Sequence, residues 1–174
     1  MSPIFVILLR LIIPLLIFRR PLLGGMASAL LDAVDTNIVR IMGGTFPNYQ
    51  QLDKCLDTYY LFFELVVSLG WDHKLAKQTS VILFLYRVAG VVLFEITNTR
   101  VFLFFFPNLF EYFFLFFLIF KRRYFDSNKV NSWSRIVLIL VLLYILKFPQ
   151  EYLLHYKQVS PWLWFTTEVL PNLR

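Results

Sequence analysis

Apolar residues in this chain come in long runs rather than in alternation, occupying approximately Ile4 to Phe18, Leu22 to Met42, Leu56 to Trp71, Ser80 to Ile96, Val101 to Phe120 and Ile136 to Phe148. Strands of a membrane barrel would alternate polar and apolar positions, so each run predicts a helix. The fifth, VFLFFFPNLFEYFFLFFLIF, is the plainest. Pro107 inside it predicts a kink, because proline lacks a backbone donor and crowds the preceding turn. Breakers and charges separate the runs: Arg19, Arg20 and Pro21; Gly43, Gly44 and Pro47; Asp72, His73 and Lys74; and the stretch from Lys121 to Trp133. Connections this short make sequence neighbours antiparallel packing neighbours. The final piece, SPWLWFTTEVLPNLR, is too short to span and places Trp162 and Trp164 near a membrane interface.

Composition turns these helices into membrane helices. The chain is 59% hydrophobic and 19% aromatic with a mean hydropathy of +0.66, more than an ordinary soluble domain can hide. Its 174 residues allow one domain, and at about 20 residues per span the expected fold is an all-α, polytopic transmembrane bundle of about six spans. Residues 1–174 form that single membrane-embedded domain, with a hairpin over 22–71, further helices over 80–148 and an interfacial tail over 157–174. The net charge of +6 comes from Lys and Arg scattered between the apolar runs, which points to lipid headgroups rather than nucleic acid. Cys55 is alone, and no Cys/His spacing suggests zinc. The N-terminal run has no basic n-region, is interrupted by Arg10 and is followed by no A-x-A site, so a retained first helix is expected rather than a signal peptide.

The second run, LLGGMASALLDAVDTNIVRIM, differs from the others. Its small residues allow close helix contact, which places it inside the bundle. It also carries Asp32 and Asp35, spaced i, i+3 on one helix face, while Asp53 and Asp57, spaced i, i+4, share a face of the next helix. If residues 41–52 turn as a hairpin, all four carboxylates can converge near one bilayer surface. Clustered carboxylates repel and resist dehydration unless a cation neutralises them, and hard oxygen ligands suit Mg²⁺, Mn²⁺ or Ca²⁺. A pair of such ions would suit phosphoryl transfer. The same spacing also fits helix ends in water, with Asp53 as a cap and Asp32 and Asp35 on a solvated face.

The segment from Asp32 to Asp57 resembles the signature of the membrane-embedded CDP-alcohol phosphotransferases, D-x2-D-G-x2-A-R-x8-G-x3-D-x3-D. Here it reads D-AV-D-T-NI-V-R, eight residues, then Y-QQL-D-KCL-D. The opening FVILLRLIIPLLIF is similar to the family's T-L-L-R-x-x-x-x-P, with Arg10 and Pro14 in register. The resemblance implies transfer of a substituted phosphate from a CDP-linked donor, commonly CDP-diacylglycerol, to an alcohol acceptor, with CMP leaving. It implies Asp32, Asp35, Asp53 and Asp57 as ligands of Mg²⁺ or Mn²⁺, Asp57 as general base toward the acceptor hydroxyl, and Arg40 on the donor phosphate. Thr36, Val39 and Tyr49 stand where the family has glycine, alanine and glycine, so the CDP-donor site they border is narrowed. Retention of four carboxylates favours a divergent member that still binds metal over an inactive relative.

With the N-terminus cytoplasmic, as in the family, Arg19, Arg20, Lys74, Lys77, Lys121, Arg122, Arg123 and Lys129 fall outside. The positive-inside rule prefers the reverse, but the family orientation is retained here. Arg10, Glu64, Arg87, Glu95 and Glu111 sit within apolar runs, where charge demands a partner or water. Arg87 is expected to pair with a glutamate between helices, or to help form an acceptor pocket. His155 is read as interfacial. The resulting expectation is a divalent-metal-dependent phosphotransferase in phospholipid synthesis, embedded among membrane lipids, for which a homodimer is one open arrangement. Its rivals are a non-catalytic relative acting as a structural or interaction protein, and a cation transporter or channel whose path the carboxylates line.

Overall fold

The computed structural model of the chain describes residues 4–41, 49–126 and 129–157, without the side chains of residues 36, 37, 39–41, 49–50 and 155. Every regular element among these residues is helical: α1 (Ile4–Ile12), α2 (Pro21–Ile41), α3 (Tyr49–Leu69), α4 (Lys74–Thr97), α5 (Val101–Phe105), α6 (Leu109–Phe120) and α7 (Trp133–Glu151). A 3₁₀ stretch, Ile13–Phe18, prolongs α1, and π turns prolong α6 and α7. Local chemistry accounts for several boundaries. Pro14 offers no N–H to the Arg10 carbonyl one turn back, and the helix tightens there. Pro21 opens α2, where a missing donor costs nothing. His73 Nδ1 accepts from Ala76 N–H at 3.2 Å to cap α4, whose other end closes on Asn98 in the left-handed region (φ 51°), its N–H on Phe94 O at 2.7 Å.

Among the described residues, three helices are long and apolar enough to cross a membrane: Lys74–Thr97, Val101–Phe125 and Trp133–Leu154. Ile4–Phe18 is a shorter apolar helix. The fold is therefore that of an all-helical, possible multi-pass membrane protein. The apolar side chains that point outward, among them Leu8, Ile82, Val92, Leu138, Leu142 and Ile145, suit a lipid surround.

Pro107 does more than kink its run. Helix α5 stops at Phe105, and α6 restarts with Asn108 as cap. The Leu103 carbonyl has lost its donor four residues on, and Arg87 Nη1 from α4 takes it at 3.5 Å together with Phe106 O at 2.8 Å. The glutamate partner expected for Arg87 is thus replaced, among the described residues, by carbonyls that the proline break sets free. Gly90 makes the approach fit, since a Cβ there would run into the Phe106 side chain.

The phenylalanines of α6 form the centre of the bundle rather than a lipid face. Phe110, Phe113, Phe114 and Phe117 are wholly buried at helical spacing, and Trp71, just after α3, stacks on Phe117 and Phe114 with ring centroids 3.7 and 5.7 Å away. On the other side α2 meets the first helix closely: a Cβ on Gly24 would collide with the backbone of Ile17.

Candidate functional site

Helices α2 and α3 carry the four aspartates as the spacing predicts, and α1 supplies what lies between them. Buried positions on the first helix follow a stripe, Val6, Arg10, Pro14 and Ile17, which turns Arg10 into the bundle at 4% exposure. Its guanidinium touches all four carboxylates. Nη1 donates to Asp35 and to Asp53 Oδ1 at 2.6 Å, and Nη2 to Asp57 and to Asp32 Oδ1 at 2.6 Å. Lys54 adds a second cation, with Nζ 2.7 Å from Asp53 Oδ2 and 2.5 Å from Asp57 Oδ2. A planar fork with five donors suits this bridging, since each Nη can serve two acceptors.

The two helices do not contribute solvated ends. Asp35 and Asp57 are buried, at 0% and 4% exposure, while Asp32 and Asp53 are half-buried. Asp53 is inside α3, held by Arg10 and Lys54, rather than capping it. One carboxylate oxygen each from Asp32, Asp35 and Asp53 lies within 4.8 Å of the others, a separation at which one cation could bind all three. Among the described side chains, Arg10 and Lys54 are in direct ion-pair contact with these carboxylates. The donor set fits a hard divalent cation, and Arg10 holds the centre that such an ion would take.

No family model, curated protein or solved structure matches the chain. The likeness to CDP-alcohol phosphotransferases therefore rests on the residues alone. Thr36, Val39 and Arg40 belong to α2 and Tyr49 opens α3, but their side chains lie outside the described residues, as do the His155 side chain, Gly43, Gly44, Pro47, Trp162 and Trp164. Cys55 is exposed between Asp53 and Asp57, and takes no part in the cluster.

Two features of the site went unread in the sequence. Lys54 lies inside the signature without belonging to it, although its i, i+3 spacing from Asp57 is a sequence signal for that pair. The second is a polar stripe that continues along α3 from Asp53 and Asp57 through Tyr60 to Glu64, facing Asp32, Ser28 and Gly25 of α2. The i, i+4, i+7, i+11 spacing on α3 is a sequence signal for it.

Proposed function

We propose that the chain is a multi-pass membrane protein of about six spans whose α2–α3 hairpin serves divalent-cation-dependent transfer of a substituted phosphate from a CDP-linked donor, such as CDP-diacylglycerol, to an alcohol. The observation that carries this reading is the convergence of Asp32, Asp35, Asp53 and Asp57, from two helices, on a single guanidinium. Such a gathering of carboxylates within apolar helices is costly without a charge to meet it. Mg²⁺ or Mn²⁺ held there by the four aspartates would supply charge stabilisation for the donor diphosphate and acidify the acceptor hydroxyl. Asp57 accepts the hydroxyl proton; the acceptor oxygen bonds to phosphorus as the bond to the CMP oxygen breaks, and CMP leaves. Arg40 is assigned to the donor phosphate by resemblance, with Thr36, Val39 and Tyr49 narrowing its surroundings.

A second reading has its own support. Arg10 already bridges the four carboxylates, as a permanent counter-ion would in a non-catalytic relative. A cation path is less well supported, because the polar stripe on α3 runs into Phe114, which packs at Gly25 beside Glu64 and stacks on Trp71.

The test is CMP release by purified protein with Mn²⁺, radiolabelled CDP-diacylglycerol and a panel of acceptor alcohols. Turnover that falls by at least about a hundred-fold in Asp57→Asn supports catalysis. Absence of turnover together with absence of cytidine nucleotide binding would sink the phosphotransferase reading and leave the counter-ion reading.

A further inference from the structure

The end of the bundle opposite the aspartates carries the other charge. Helices α3, α4, α6 and α7 alternate in direction, so the turn after α3, the start of α4, the end of α6 and the start of α7 share one face, about 25 Å along α3 from Asp53. Basic residues dominate it: Lys74 and Lys77 on α4, Lys121, Arg122 and Arg123 in the π turn after α6, and Lys129 before α7, against Asp72 and Asp126. Asp72 is almost wholly exposed, with Lys121 Nζ 3.9 Å away. A cleft of about 450 Å³ opens here, bordered by residues 72–75 on one side and 131–133 on the other. Its donors suit an anion. Lys74 brings an ammonium group; His73, whose Nδ1 accepts from Ala76 N–H at 3.2 Å, carries the proton of its neutral ring on Nε2; and the Ser132 hydroxyl makes no capping hydrogen bond to α7. Below the cleft lies an apolar lane. Ile82 follows Leu75 at i+7 on α4, and Val137 follows Trp133 at i+4 on α7, so exposed apolar side chains lead from its lining along both membrane-spanning helices.

We propose that this cleft holds the headgroup of an anionic phospholipid from the surrounding leaflet. The phosphate meets Lys74, His73 Nε2 and the Ser132 hydroxyl, with Lys77 one turn along the same helix adding charge. Asn131 offers an amide to the headgroup hydroxyls, and the exposed Trp133 ring sits at headgroup level, as interfacial tryptophans do. The acyl chains lie along Ile82 and Val137. The cleft's volume is within the range of small-molecule sites, which gives room for a phosphate and its glycerol. A free phosphate would satisfy the cations and leave the apolar lane unused, whereas a lipid uses both. A zwitterionic headgroup brings its own ammonium against this cationic face and gains less. Bound across the cleft, the lipid ties the α3–α4 turn to the loop before α7 and so stabilises the bundle. The inference rests on the membrane reading of the helices and not on the phosphotransferase reading.

The test is thermal unfolding of the purified full chain in an uncharged detergent at constant ionic strength, titrated with dioleoyl phosphatidylglycerol, dioleoyl phosphatidylcholine or inorganic phosphate. Stabilisation by phosphatidylglycerol beyond that by the other two is expected, with its midpoint raised at least about ten-fold in Lys74→Gln/Lys77→Gln. Arg19→Gln/Arg20→Gln removes the same charge from the same face outside the cleft, and shifts the midpoint less than about two-fold. Equal shifts in the two double variants mean a diffuse charge effect and overturn the site. Equal protection by phosphatidylcholine overturns the anion, and equal protection by inorganic phosphate assigns a free phosphate and overturns the lipid. A wild type that none of the three stabilises overturns the proposal outright. If the double lysine variant does not fold, Lys74→Gln alone, at an exposed position, decides, with a shift of at least about three-fold expected. Failure of the wild type to release CMP would leave this outcome untouched, which keeps the two readings distinguishable.

Discussion

Arg10→Gln separates a counter-ion from a metal competitor. In metal-free protein the variant removes the group that touches Asp32, Asp35, Asp53 and Asp57 and leaves Lys54 paired with Asp53 and Asp57. Asp35 and Asp57 are buried and cannot turn to bulk water when the guanidinium is withdrawn, while Lys54 stays with Asp57. Removing one partner of a buried ion pair costs about 3 to 5 kcal/mol, most of it the penalty on the charge left behind. Asp32 and Asp53, at 31% and 18% side-chain exposure, add less because solvent screens them. For a chain of this length that cost corresponds to a fall in Tm of about 6 to 20 °C, at about 2 to 4 °C per kcal/mol.

Mn²⁺ reverses the loss if the aspartates are a metal site. With Arg10 gone the ion no longer has to displace a guanidinium, so the variant binds Mn²⁺ more tightly than the wild type, and an excess of a hundred times Kd restores about 2.7 kcal/mol. The measurement is tryptophan-detected unfolding in detergent, first with EDTA and then across a Mn²⁺ titration, alongside Arg10→Lys. Lysine keeps the charge but not the fork, and an intermediate loss is expected. A metal-free loss under about 1 kcal/mol would refute the reasoning about buried charge. A large loss that Mn²⁺ leaves untouched would refute the metal reading and favour Arg10 as a permanent structural counter-ion.

Two further outcomes are expected. Gly90→Ala places a methyl group against Phe106 where α4 crosses the Pro107 break, and overpacking there costs about 1 to 3 kcal/mol, whereas Gly70→Ala, whose Cβ would meet only the Val67 carbonyl at 3.3 Å, serves as the mild control in the same unfolding assay. Cys55, the single cysteine and exposed beside the aspartates, reports orientation: an impermeant maleimide reaches it in inside-out vesicles and not in right-side-out ones if the site faces cytosolic CDP donors. Labelling from the other side would agree with the basic residues at the opposite helix ends and would remove the cytosolic donor from consideration.

The helices were legible wherever burial and lipid contact ask for the same residues, as in α7, whose apolar run from Ile136 to Phe148 lies within a turn of its extent at either end. Helix α3 shows where that fails. Its apolar run begins at Leu56 but the helix begins at Tyr49, because its first two turns carry Asp53 and Lys54, which pair with Arg10 and with Asp57 of the next turn, where a lipid-facing helix would carry leucines. The meeting of the aspartates was legible because side-chain spacing on a helix is periodic and a short link brings two such faces together. What stands between them was not, since the direction in which Arg10 points is set by how α1 packs on α2 and α3. The destination of Arg87 was hidden for a related reason: its acceptors are backbone carbonyls, which every residue has and which become available only where Pro107 breaks the helix. A charge in an apolar run therefore announces that a partner is needed without naming it. Arg10 finds four carboxylates, Arg87 finds two carbonyls, and Glu64, under the same requirement, finds no hydrogen-bond partner among the described residues. The orphan is for that reason the more informative of the three, because the demand that the others satisfy internally must at Glu64 be met by a proton or by something that binds.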